Sequence, residues 1–160
     1  MATHPPDTRP LLLLDVDGVL LLVRSSWSEG EDDDLDLEPT LHPDAGAWLA
    51  ELAEVFELVW ATTWEHLANR VIAPALGLSD LPVIEFDMDH RAPTAKLLSV
   101  TAWVGDRPCA WIDDDLQHDA ASWAAGRAIP TCLVHVDMTE GMDRRHVDRL
   151  LAWAAEIAER

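Results

Sequence analysis

Apolar runs alternate along the chain with segments in which apolar residues recur about every 3.6 positions. Short apolar runs predict buried strands, and the 3.6 period predicts helices that cover them. The first run suits a strand that is buried on both faces, as in a parallel sheet. We therefore predict an α/β fold, a three-layer, doubly wound parallel sheet of about five strands with helices on both faces. The predicted strands are Leu11–Val16, Phe56–Ala61, Val83–Phe86, Cys109–Ile112 and Thr131–Val136.

Five helical segments separate or follow these strands. Proline opens the first segment, and proline and glycine end the second. The last segment carries a buried apolar face, and Thr139 is the expected cap at its beginning. The predicted helices begin near Pro43, follow Trp64 as far as Pro74 and Gly77, span Lys96–Trp103 and Leu116–Ala125, and cover residues 142–157.

Length and charge narrow the classes of protein that this pattern allows. The 160 residues predict one domain over residues 1–160. The formal net charge of −19 predicts no strong nucleic-acid-binding patch, because polyphosphates are captured by clustered Lys and Arg. The apolar run Leu11–Val23 is too short to cross a bilayer and lacks a basic leader, so we expect no membrane contact. With two cysteines only, we expect a cytoplasmic protein.

The stretch from Arg24 to Glu38 follows neither period. Seven acidic residues fall in the ten positions from Glu29 to Glu38. A solvated acidic loop is one interpretation. A flap over an active site is the other, because the stretch follows closely on the acidic motif at Asp15.

Two acidic residues, Asp15 and Asp17, come at the end of the first predicted strand. Gly18 then permits a sharp turn of the backbone. In open α/β sheets, ligands bind beyond the carboxyl ends of the strands. Paired carboxylates at this place repel each other and attract a hard cation such as Mg²⁺.

A second acidic group, Asp113-Asp114-Asp115, follows the fourth predicted strand. Acids at a helix N-terminus, with Asp115 as a cap, would explain one or two of the three. They do not explain why two strands end in acids. We therefore predict a joint metal site to which Asp113 and Asp114 both contribute.

Two further features suggest a phosphate-binding site, but each is weak evidence by itself. Thr62 and Thr63 close the second predicted strand, where a hydroxyl and a backbone N–H can bind a phosphate oxygen. A cap on the following helix is the alternative for Thr63. Lys96 is the only lysine in the chain and could neutralise phosphate and carboxylate charge together, or lie solvated at the surface.

Taken in order, these signals resemble the haloacid dehalogenase (HAD) superfamily of phosphotransferases. A narrower resemblance, to a bacterial subgroup associated with RNA-repair proteins, lies in residues 58–65 with Ala68 and Asn69. The residues that carry the broader resemblance are Asp15-Val16-Asp17-Gly18-Val19, Thr62, Lys96 and Ile112-Asp113-Asp114.

The resemblance implies a Mg²⁺-dependent phosphatase. Asp15 would be the nucleophile that forms an aspartyl-phosphate, and Asp17 would be the general acid and base. Thr62, Thr63 and Lys96 would bind the substrate phosphate. Mg²⁺ would be held by Asp15, the backbone carbonyl of Asp17, and Asp113 with Asp114.

The spacing of these motifs leaves no room for a separate cap domain. Asp17 and Thr62 are 45 positions apart, and Thr62 and Lys96 are 34 apart. An open site favours a phosphate on a larger molecule, such as a nucleic-acid end or a phosphoprotein, unless a partner subunit forms a lid. The acidic charge disfavours polyanions, so a nucleotide or a phosphorylated metabolite stays open as well.

Two non-enzymatic alternatives share this fold. A phospho-acceptor switch of the receiver type would need a lone Asp at the end of a middle strand, where this chain has Thr62 and Thr63. A catalytically idle binding module would be expected to lack Asp15 or Asp17. Among the eight tryptophans, Trp60 and Trp111 are expected in the core, whereas Trp27 and Trp64 could line the mouth of the site.

Overall fold

The computed structural model of the protein describes residues 8–23 and 39–160. The predicted flap over residues 24–38, including Trp27, lies outside the described residues. The strands are β1 (Leu11–Leu14), β2 (Leu21–Val23), β3 (Pro39–Leu41), β4 (Glu57–Trp60), β5 (Cys109–Asp113) and β6 (Thr131–His135). The helices are α1 (Ala45–Ala53), α2 (His66–Ala75), α3 (Leu97–Val104), α4 (His118–Gly126) and α5 (Arg144–Ala158).

Four strands form one parallel sheet in the order β4-β1-β5-β6. All four leucines of β1 are fully buried, as expected for a central strand. Because successive side chains of a strand point to opposite faces, Leu12 and Leu14 join one apolar core while Leu11 and Leu13 join another. Helices α1, α2 and α5 pack in the first core, and α3 and α4 pack in the second. The three-layer α/β fold is therefore confirmed.

The predicted strand Val83–Phe86 is wrong as a strand of the sheet. Only Val83 pairs with β4, through an isolated bridge to Trp60. Beyond it, the backbone N–H of Phe86 donates to the Glu65 carboxylate, at 3.1 Å, instead of to a strand. Side chains thus satisfy backbone groups that a fifth strand would have paired, and the sheet of the described residues has four strands.

A short antiparallel hairpin, β2 with β3, is absent from the sequence prediction. Leu21 pairs with Leu41 and Leu22 with Thr40. The pairing is not local in sequence, and three residues are too few for a strand to show a period. The hairpin stands beside the acidic motif, since β2 begins three residues after Gly18.

The last helix begins at a different cap from the predicted Thr139. Asp143 is the N-cap of α5, and its carboxylate accepts the N–H of Arg145 at 2.9 Å. His146 accepts the Asp143 N–H in return, which completes a capping box. Thr139 instead donates its N–H and its hydroxyl to Asp137. None of the helices in the described residues is long and apolar enough to span a membrane.

Candidate active site

The acids of the two predicted motifs meet at the carboxyl edge of the sheet. Strands β1 and β5 are neighbours, with Leu14 opposite Ile112, so the residues that follow them lie side by side. One carboxylate oxygen from each of Asp15, Asp113 and Asp114 lies within 4.8 Å of the others. These three residues form the carboxylate triad. The predicted convergence of acids from two separate strands is confirmed.

Lys96 lies at the centre of this cluster. Its Nζ is 2.9 Å from Oδ1 of Asp15 and 2.8 Å from Oδ2 of Asp113. A third contact, at 3.2 Å, goes to the backbone carbonyl of Ala61, just beyond β4. An ammonium has three N–H donors, so these three acceptors occupy them all. In this structure Lys96 therefore fixes two of the acids to the end of β4, and its predicted contact with a substrate phosphate stays a prediction.

Asp113 is held on both of its carboxylate oxygens. Oδ2 accepts the indole N–H of Trp111 at 3.2 Å as well as the Lys96 ammonium, and Oδ1 accepts the backbone N–H of Asp115 at 2.9 Å. Trp111 reaches it because residues two apart on a strand share a face. Asp113 is 1% exposed, whereas Asp114 is only half-buried. Asp113 is thus the anchored acid of the triad, and Asp114 is the more accessible one.

Burial and neighbouring charges shift the pKa values of Asp15, Asp114 and Lys96. Burial, with the neighbouring charge of Asp113, raises the pKa of Asp15 to about 8, despite its contact with Lys96. Burial also raises the pKa of Asp114, and Asp113 adds to the effect. For Lys96, burial would lower the pKa, but the carboxylates of Asp113 and Asp15 raise it above its usual value. The single ammonium of Lys96 is therefore not enough to offset the burial of these acids and their repulsion.

The chemistry of this donor set fits a divalent hard cation. With all three carboxylates ionised, the single ammonium would leave two formal negative charges, which Mg²⁺ would balance. Oxygen donors of this kind are the ligands that Mg²⁺ prefers in proteins. Burial and the charge of Asp113 raise the pKa of Asp15, and a cation bound beside it would favour its ionised form. The triad residues therefore fit the predicted ion.

Gly18 lets the loop after β1 lie directly against the triad. Its φ is +74°, a conformation that side chains rarely adopt. A Cβ at this position would be 2.6 Å from Oδ2 of Asp114 and 3.1 Å from Cβ of Met138. Both the backbone conformation and the close approach to Asp114 therefore require glycine.

Asp17 lies outside the carboxylate triad. Its side chain is exposed, and both carboxylate oxygens accept the indole N–H of Trp64, at 3.2 and 3.1 Å. The structure thus separates the two acids of the first motif. Asp15 belongs to the buried ion cluster, whereas Asp17 lies at the surface. The predicted metal contact of the Asp17 backbone carbonyl stays a prediction.

The two predicted threonines differ in their surroundings. Thr62 is fully buried, and its hydroxyl oxygen accepts the backbone N–H of Trp64 at 3.2 Å. It follows Ala61, whose carbonyl contacts Lys96, so the strand end brings it beside the cluster. Thr63 is exposed. Their predicted contacts with a phosphate remain predictions.

A strained residue follows these threonines. Glu65 has φ +47° and ψ −129°, and it is the only residue other than glycine with a positive φ in the described part of the chain. Such a conformation costs about 1–3 kcal/mol and persists only where its surroundings hold it. Here the turn is held by a hydrogen bond from the Glu65 N–H to the Thr62 carbonyl, at 3.0 Å, and by the contact with Phe86.

Sequence reasoning missed the polar roles of Trp111 and Trp64 at this site. Trp111 is buried in the core as expected, yet its indole also binds Asp113. The spacing of two residues between them on one strand is a signal that could have identified the pair. Trp64 contacts Asp17 from 47 positions away, and no local pattern indicates that contact.

Comparison with known protein families identifies the family to which the chain belongs. The family model for the HAD domain in Swiss Army Knife RNA repair proteins matches residues 11–147. The chain belongs to this HAD family. No curated protein matches the chain. The resemblance inferred from the acidic motifs is thus confirmed, including its narrower form.

The matched range of the HAD domain runs from β1 into α5 and contains every predicted site residue. Family membership supports a hydrolase of the HAD type, and the carboxylate triad is compatible with a bound Mg²⁺. The fold of the described residues is that of a small HAD domain without a cap.

Proposed function

We propose that this HAD domain is a Mg²⁺-dependent phosphomonoester hydrolase that works through an aspartyl-phosphate on Asp15. The observation that carries the proposal is the position of Asp15. It is buried at a strand end, contacts the Lys96 ammonium, and is a member of the only carboxylate triad among the described residues. A carboxylate so placed is both a nucleophile and a member of a cation site.

In the first step, an oxygen of Asp15 attacks the phosphorus, and the bond from phosphorus to the leaving oxygen breaks. Asp17 gives its proton to that leaving oxygen. In the second step, Asp17 takes a proton from a water molecule as the water attacks the phosphorus. The bond to Asp15 then breaks, inorganic phosphate leaves, and both acids return to their first state. Lys96 holds Asp15 in place throughout.

The triad would hold the metal ion, and Asp114 would contribute most directly. Asp113 already accepts hydrogen bonds on both oxygens, whereas Asp114 is less buried and lies against Gly18. Mg²⁺ bound there would neutralise charge on the phosphoryl group. The backbone carbonyl of Asp17 is the further ligand that we propose. Thr62 and Thr63 would bind the phosphoryl oxygens, and Lys96 would do so by exchanging one of its present acceptors for a phosphoryl oxygen.

The substrate that we propose is a terminal phosphate presented to an open site. The family is named for RNA repair proteins, so nucleic-acid ends belong among the candidates. The charge of −19 works against tight binding of a polyanion by this domain alone. Nucleotides, phosphorylated metabolites and phosphoproteins are therefore candidates as well.

A phosphate-release screen tests the proposed function. The purified protein is assayed with an aryl phosphate, nucleotides, sugar phosphates, phosphopeptides and oligonucleotides phosphorylated at the 3′ or 5′ end. We expect release from at least one class with Mg²⁺ and none with excess EDTA. Release that persists in EDTA would contradict the role of the triad. Stable phosphorylation of the protein without turnover would instead favour the phospho-acceptor switch.

A further inference from the structure

The indole of Trp64 contacts the acid that the proposed mechanism uses for proton transfer. Its Nε1–H lies 3.2 and 3.1 Å from the two carboxylate oxygens of Asp17. An indole N–H only donates, so it orients a carboxylate without competing for its proton. Asp17 is exposed, and Trp64 is the one side chain among the described residues with a hydrogen bond to it.

Trp64 is itself fixed from two directions. Its backbone N–H donates to the Thr62 hydroxyl at 3.2 Å, and the half-buried ring packs against the apolar core. The next residue, Glu65, has the positive φ, and its carboxylate accepts the Phe86 N–H. The indole thus extends from a fixed turn that also carries Thr62.

We infer that Trp64 is a positioning residue that holds the Asp17 carboxylate outside the carboxylate triad and toward the substrate. The inference rests on the proposed function, because it assigns to Trp64 the orientation of the proposed acid and base. Without the indole, the exposed carboxylate of Asp17 has no hydrogen bond from a side chain of the described residues. It would then sample orientations in which no proton transfer to the leaving oxygen occurs.

The test replaces Trp64 with phenylalanine, which keeps an aromatic ring but removes the N–H. We expect kcat to fall by roughly tenfold or more, part of what a general acid and base contributes, with KM changed less than about twofold. The matched control is Trp153→Phe. Trp153 is also partly buried against the same core, but it stacks on Phe56, which precedes β4, at the opposite end of that strand from Thr62. We expect the control to keep wild-type kinetics.

A double-mutant cycle separates positioning from general damage. If Trp64 acts through Asp17, then Trp64→Phe lowers kcat in the wild-type protein but has little further effect in Asp17→Asn. Equal effects in both backgrounds, or no effect in the wild type, would overturn the inference. An inactive wild-type protein would instead refute the proposed function, so the two failures are distinguishable.

A spectroscopic measurement on the metal-free protein tests the contact without activity. The indole N–H signal of Trp64 is the one that disappears from the ¹⁵N–¹H spectrum of Trp64→Phe. We expect Asp17→Ala to move this signal upfield, because a hydrogen bond is lost, and to leave the Trp153 signal in place. An unmoved Trp64 signal would contradict the contact on which the inference depends.

Discussion

Replacing Asp15 with asparagine is expected to reduce phosphate release by at least roughly 1,000-fold, because the amide cannot form the aspartyl-phosphate. The same change should make the metal-free protein more stable at pH 8. Asp15 is buried beside Asp113, and its ionisation in the folded protein is therefore unfavourable. The variant should therefore lose activity and gain stability, because Asp15 is required for catalysis but its ionisation destabilises the metal-free fold.

The sign of the pH dependence follows from the pKa of Asp15, which folding raises from 3.8 to about 8. Between these values the folded protein keeps a proton that the unfolded chain releases. The wild type therefore loses stability as the pH rises through this window, by up to about 1.4 kcal/mol per pH unit. The amide in Asp15→Asn has no such proton to lose, so the advantage of the variant grows from pH 5 to pH 8.

Denaturant unfolding in EDTA at several pH values measures this difference. Asp137→Asn is the matched control, since hydrogen bonds from Thr139 lower the pKa of this exposed acid. That group titrates below the window, so the control should show no slope relative to wild type between pH 5 and pH 8. A difference between Asp15→Asn and wild type that stays constant with pH would contradict the unfavourable ionisation of Asp15.

Replacing Lys96 with methionine is expected to lower both stability and activity. Methionine keeps much of the volume but removes the ammonium from Asp15 and Asp113, both of which are buried. The pair of Lys96 with Asp113 is buried, and loss of one partner from such a pair costs about 3–5 kcal/mol, because the charge left on the other partner is uncompensated. Loss of a preorganised positive donor at a reacting group should also lower kcat by roughly 100-fold or more.

Unfolding and phosphate release measured on the same preparation test this expectation. Arg144→Met is the control, because Arg144 pairs with Glu51 and Asp148 at the exposed surface. That change should leave the free energy of unfolding nearly unaltered. Wild-type stability in Lys96→Met at neutral pH would exclude a compensating role for the ammonium.

The central part of the fold and of the site follows from local sequence. The uninterrupted leucines of β1 predict burial on both faces, and the structure buries all four. Acids directly after β1 and at the end of β5 predict a shared site, because parallel strands end at one edge. That inference needs only the strand assignment and the rule for ligand position. Both hold at Asp15, Asp113 and Asp114.

Other features depend on contacts that no local pattern encodes. Residues 83–86 are apolar enough for a strand, but the Phe86 N–H bonds to the Glu65 side chain, 21 positions away. The contact of Trp64 with Asp17 spans 47 positions. Thr139 and Asp143 are both suitable caps by residue type, and the capping box with His146 decides for Asp143. Local propensity gives candidates in these cases, and tertiary contacts choose among them.

The central claim is that Asp15 receives the phosphoryl group beside a metal held by the triad. Trapping that species tests it most directly. The protein is quenched in acid during turnover with Mg²⁺, reduced with borohydride, and digested for mass spectrometry, since reduction of an aspartyl-phosphate yields homoserine. We predict homoserine at position 15, dependent on Mg²⁺ and absent from Asp15→Asn. Sustained phosphate release with position 15 unmodified, or with the label on another residue, would contradict the account.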